Sequence, residues 1–183
     1  MKRKILLAGC AALLSACMTA GSFAYFSKET RAVSTVTTGK IDVCLVERDP
    51  AGKELPAESA TILPGSRIGK AVSAENRGGH PAYVRMKLLT GVSGDALPAD
   101  GCLLIDPDLQ HWTFRDGWYY LNEALPAGQE SPPLFTEIRA SGPQIDVRYL
   151  GRTFTLDVVL SAVQSENNGS TVFDASGWPE AKS

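Results

Sequence analysis

From Phe154 to Ala162 the chain alternates with a period of two. Phe154, Leu156, Val158, Leu160 and Ala162 fall on one side, and Thr155, Asp157, Val159 and Ser161 on the other. A helix would scatter these positions around its axis, whereas a strand presents the first set as one apolar face. A strand with one wholly apolar face must lie on a core, so this run calls for a packed sheet.

Other segments repeat the pattern. Thr38 to Val46 places Ile41, Val43 and Leu45 on one face. Ala82, Val84, Met86 and Leu88 alternate with Tyr83, Arg85, Lys87 and Leu89. Shorter candidates are 68–76, 111–115, 118–121 and 145–149. Asp116-Gly117 separates two aromatic runs, and Asp-Gly at such a place signals a two-residue hairpin. Pro64-Gly65, Gly78-Gly79, Gly94-Asp95, Pro126-Ala127-Gly128 and Asn167-Asn168-Gly169 mark further turns. Eight or nine short strands predict an all-β fold, a jelly-roll-like β-sandwich with short helical or irregular insertions. Residues 47–60 and 92–110 are the segments expected to hold such insertions.

The first 24 residues have a different character. Lys2, Arg3 and Lys4 precede an apolar stretch from Ile5 to about Met18, and small residues lead to Ser22-Phe23-Ala24. This is the layout of an export signal, with cleavage expected between Ala24 and Tyr25. Leu14-Ser15-Ala16-Cys17 has the form of a lipidation site at Cys17. The apolar residues after Cys17 argue against it, because a lipoprotein ordinarily continues with a polar tether. The expected organisation is a signal peptide over 1–24, a mature N-terminal segment over 25–38 and one sandwich domain over 39–183.

Export changes the composition that matters. The 183 residues carry 18 Lys+Arg against 20 Asp+Glu. Without Lys2, Arg3 and Lys4 the mature chain has 15 basic residues against 20 acidic. Such a balance does not suit a nucleic-acid groove. Two of the four cysteines also go with the leader, leaving Cys44 and Cys102. Outside the cytosol a disulfide between them is chemically open, closing a loop of about 58 residues. The other reading is two thiols packed as small hydrophobes. The residues leave both open, with a slight preference for the bond.

Catalytic signals are sparse. There are two histidines, His80 and His111, and no H-E-x-x-H or G-x-S-x-G. Asp100, Asp106 and Asp108 are oxygen donors of the kind calcium takes, but their spacing does not follow the alternate-ligand loop. No catalytic, metal or cofactor residue is assigned. The aromatic block Trp112, Phe114, Trp118, Tyr119 and Tyr120 is expected to be at least partly core. Trp112 and Phe114 share one side, Trp118 and Tyr120 share a side, and Tyr119 opposes them. The segment 25–38 suits strand addition to an exposed sheet edge of a neighbour, or the first strand of its own sheet.

Together these landmarks resemble a known family. They are Gly21 to Ser27 (GSFAYFS), Thr38-Gly39-Lys40-Ile41-Asp42-Val43, Asn76-Arg77-Gly78-Gly79, Pro81 to Arg85, Asp116 to Tyr120, Pro132-Pro133-Leu134-Phe135 and Ala162-Val163-Gln164. The chain is similar along nearly its whole length to the TasA/camelysin family, exported proteins of Gram-positive bacteria processed by an SipW-type signal peptidase. The resemblance implies a jelly roll that self-associates, alone or with related matrix proteins, into extracellular biofilm fibres at the cell surface. In such fibres the free N-terminal strand of one subunit passes into the next. Tyr25 to about Thr38 would be that donor here. The membrane would be met only through the signal segment before cleavage. Some relatives are described as metallopeptidases, so an exported metal-dependent peptidase is the first alternative. A surface carbohydrate- or protein-binding module using exposed aromatics is the second.

Overall fold

The computed structural model describes residues 41–55, 60–94, 97–142 and 144–179. The leader with Cys17, the Ala24–Tyr25 junction and the segment 25–38 lie outside the described residues.

Nine strands are present among the described residues: β1 (Val43–Arg48), β2 (Ala60–Ile62), β3 (Arg67–Asn76), β4 (Ala82–Val92), β5 (Leu103–Ile105), β6 (Trp112–Arg115), β7 (Trp118–Leu121), β8 (Phe135–Ala140) and β9 (Phe154–Gln164). They form two antiparallel sheets, ordered β1-β3-β8-β5 and β2-β9-β4-β7-β6. Every connection except β6 to β7 crosses from one sheet to the other, so the all-β sandwich of jelly-roll type expected from the alternation is the observed fold.

The longest pairing joins β4 and β9, in register from Ala82 opposite Gln164 to Val92 opposite Phe154. Val84, Met86, Phe154, Leu156, Val158 and Leu160 all turn inward and are buried. From the other sheet they meet Val43, Val72, Ala74, Phe135 and Ile138. Trp112 and Tyr149 are the largest of the fully buried side chains. The Asp116-Gly117 hairpin forms as its sequence requires. Both residues have positive φ, 50° and 80°, as the type I′ turn demands.

Three expectations change. The 145–149 segment is not a strand: Val147–Tyr149 is a 3-10 turn, capped by the Asp146 carboxylate accepting from Arg148 N–H. It is also the only helical element among the described residues, so no helix lies in the described parts of the segments 47–60 and 92–110, which hold the end of β1, the start of β2, the end of β4, β5 and turns. The strand expected over 38–46 is β1, at Val43–Arg48. Its inward face continues beyond Leu45 to Glu47, which is buried.

Candidate functional site

The two cysteines are free thiols. Cys44 lies on β1 and Cys102 immediately precedes β5, the opposite edges of the same sheet. With β3 and β8 between them the edges are three strand spacings apart, roughly 14 Å. Bridged cysteines have Cα atoms within about 7 Å. The expected disulfide is therefore replaced by two separate environments. Half-exposed Cys44 Sγ lies 3.6 Å from a Glu75 carboxylate oxygen. Burial pushes its thiol upward, an effect Glu75 reinforces and Arg77 opposes. Cys102 is fully buried, 3.7 Å from the Pro98 carbonyl. That carbonyl also accepts from the Tyr149 hydroxyl at 2.9 Å, and burial raises the Tyr149 pKa.

Each histidine has its own carboxylate. His80 Nδ1 lies 3.2 Å from Glu166, beyond the end of β9, and His111 Nδ1 lies 2.6 Å from Asp108. The His111 contact holds the Asp108 carboxyl below the usual carboxylate range, assisted by the Gln110 backbone N–H. Among the described residues no group of three or more His, Cys, Asp or Glu is placed to hold a metal ion. Asp100, Asp106 and Asp108 are not such a group.

The aromatic block divides between both faces of the β6–β7 hairpin. Trp112 is core, and Tyr119 packs against that core. Phe114 shares their face but projects past it, 56% exposed, with its ring centroid 4.7 Å from Tyr119. Trp118 and Tyr120 face outward and join a second cluster with Tyr83, Val163, Val172 and Trp178. Arg85 lies within it, its guanidinium carbon 4.1 Å from the centroid of the Trp118 ring and 4.4 Å from that of Trp178. Neither Trp118 nor Tyr119 is an open platform; both are half-buried. Local alternation places Trp118 and Tyr120 together, but no local pattern announces Trp178, which arrives from far along the chain.

The remaining feature of functional interest is backbone. β1, β2, β5 and β6 each have one strand neighbour among the described residues. The turn at 49–55 folds back on the end of β1, where Leu55 N–H donates to the Glu47 carbonyl at 2.8 Å. β2 and β5 have only three residues each. Among the described residues β6 is the least protected. Thr113, Phe114 and Arg115 are all exposed, and it contains no proline and no lysine, devices that commonly blunt an edge. Its hydrogen-bonding parity is set by the His111 carbonyl, which accepts from Asn122 N–H at 3.0 Å. His111, Thr113 and Arg115 therefore turn their backbone groups to the β7 side. The Phe114 N–H and C=O point to the open edge.

Compared with known proteins, the chain matches no family model, no curated protein and no solved structure.

Proposed function

We propose that this is a secreted structural protein that self-associates at the cell surface or in an extracellular matrix by strand addition, the 25–38 segment of one copy pairing with a sheet edge of the next. The observation that supports the reading is the β6 edge. It offers the Phe114 backbone groups and an exposed apolar side chain at one place. An incoming extended segment gains affinity from such main-chain groups and specificity from alternate side chains. Tyr25-Phe26 and the stretch Val33 to Thr38, rich in β-branched residues, supply a segment of suitable composition. Trp112, two residues before Phe114, is buried in the core and ties β6 to the sandwich.

The experiment compares mature protein beginning at Tyr25 with a form lacking residues 25–36 and with Phe114→Pro. The deletion removes the donor, and the proline removes the outward N–H without touching the β7 ladder. Electron microscopy is expected to show fibres for the first protein only. Fibres of unchanged yield from the deletion would sink the proposal. Fibres lost on deletion but kept by Phe114→Pro would move the acceptor to another edge.

A further inference from the structure

The chain beyond β9 forms a compact cap on the outer face of the five-stranded sheet. It is bonded largely to itself. The Asn168 side chain donates to the Gln164 and Ser176 carbonyls and accepts from the Ser176 N–H. Asp174 accepts from the Ser170 and Thr171 hydroxyls at 3.0 and 2.8 Å. Trp178 Nε1 donates to the Ala175 carbonyl at 3.1 Å. Asn167 and Gly169, both at positive φ, form the turn that leads into it.

Its attachment to the sheet is different in kind. Past Glu166, among the described residues, two hydrogen bonds reach the sheet: Asn168 Nδ2 donates to the Gln164 carbonyl at the very end of β9, beside the turn, and Arg85 donates to the Pro179 carbonyl at 3.4 Å. Side chains do the rest: Val172 is buried, Phe173 and Trp178 pack on Tyr120, and Trp178 covers Arg85. On the covered face two polar atoms are buried without a hydrogen-bond partner among the described residues, Arg85 Nε and Ser161 Oγ. They sit on cross-strand neighbours, since Arg85 is in register with Ser161, which is 4% exposed. Docking thus buries apolar surface over a face that carries two buried polar atoms without a partner among the described residues, a cost that offsets part of the gain.

We propose that residues 167–179 are a latch that undocks as a unit while the sandwich remains folded, uncovering an arginine–aromatic face made of Tyr83, Arg85, Trp118 and Tyr120. The internal bonds of the cap survive the movement, and water reaches Arg85 Nε and Ser161 Oγ when it opens. Cooperative units of this kind open below the global unfolding free energy. The proposal does not rest on the N-terminal donor, because the contacts that carry it among the described residues all lie at Tyr83 or later.

The test uses thiol labelling in the mature protein with Cys44→Ser. Ser161→Cys places a near-isosteric reporter under the cap, and buried Cys102 reports global opening in the same sample. The introduced thiol is expected to react in native buffer with a shallow urea dependence, while Cys102 reacts steeply with urea. Adding Trp178→Ala should speed labelling at position 161 by about tenfold or more, from loss of the aromatic contacts, and leave the Cys102 rate unchanged. A common urea dependence for both thiols, or equal acceleration of both by Trp178→Ala, overturns the latch. Val163→Cys, equally buried on that face, provides the same reading should Ser161→Cys disturb β9.

Discussion

Lys70 Nζ lies 2.7 Å from a Glu47 carboxylate oxygen, and both side chains are buried on the inward side of the four-stranded sheet. Glu47 follows Val43 and Leu45 on β1, and Lys70 precedes Val72 and Ala74 on β3. Two charges thus occupy positions that alternation reserves for apolar residues. Removing one partner leaves the other ion in a medium that solvates it poorly. Lys70→Met is therefore expected to lower the unfolding free energy by about 3–5 kcal/mol. The double variant Glu47→Leu/Lys70→Met should recover most of that loss or exceed the natural protein. Urea denaturation of the single and double variants measures both, and additive losses would contradict the pairing.

The thiols give a second expectation. Cys102 is wholly buried and Cys44 is half-exposed, with strands β3 and β8 between their sheet edges. Folded mature protein should present one thiol to a disulfide reagent within minutes, and the second only on unfolding. Its intact mass should be the same with and without reductant. A two-dalton deficit before reduction would show the bond instead.

Trp112 and Phe114 are two residues apart on the same side of β6 yet differ in what covers them. Trp112 is fully buried and its indole N–H donates to the Pro132 carbonyl at 3.2 Å. Trp112→Ala should cost about 3–5 kcal/mol. Phe114→Ala should cost less than about 1 kcal/mol, the scale of its ring contact with Tyr119, because solvent already reaches it. Thermal melts of the two variants decide this; equal losses would place Phe114 in the core.

The contrast shows where the sequence is legible. β7 coincides with the expected 118–121 run, and β9 begins at the expected Phe154 and extends two residues beyond Ala162. Their inward residues recur strictly at every second position. β8 was not expected, because its buried residues Phe135, Ile138 and Ala140 do not keep that interval. β2 and β5 are too short to show any period. At 145–149 a local bond from Asp146 to the Arg148 backbone wins over alternation. The cysteine pairing depended on strand order, a property of long-range topology that spacing does not encode. For the same reason the partners of Arg85 are invisible in the sequence: Trp118 and Trp178, which both lie against its guanidinium, are 60 residues apart in the chain.

The cap has a pH-dependent element. Hydrogen bonds from Thr171 and Ser170 hold the Asp174 carboxyl below its ordinary value. A depressed carboxyl contributes stability above the unfolded-state pKa, near about 3.9. That contribution is lost as pH falls through the lower folded-state value. Acidification through this range should loosen residues 170–174 before the sandwich responds. Asp174→Asn should remove the dependence. Amide chemical shifts of Thr171 and Asp174, followed during an acid titration, would show it; a titration centred at or above the ordinary value would contradict the bonded geometry.

Gly69 meets Pro50 at the irregularity in β3, where register with β8 shifts between Gly69 and Val72. A Cβ built on Gly69 would stand 2.4 Å from Pro50 Cγ. The proline ring is rigid and cannot swing aside as a long side chain would. Gly69→Ala must therefore move the 49–52 turn away from the sheet. That turn is anchored by the Asp49 carboxylate, which accepts from the Ala51 and Lys53 N–H groups at 2.9 Å. The expected cost is about 1–3 kcal/mol, as for other overpacked sites. Pro50→Ala removes the opposing ring atoms, so the double variant should be less destabilised than Gly69→Ala alone. Chemical denaturation of the two single variants and the double tests the coupling. An additive cycle would place the strain of Gly69→Ala in its own backbone instead of at the contact with Pro50.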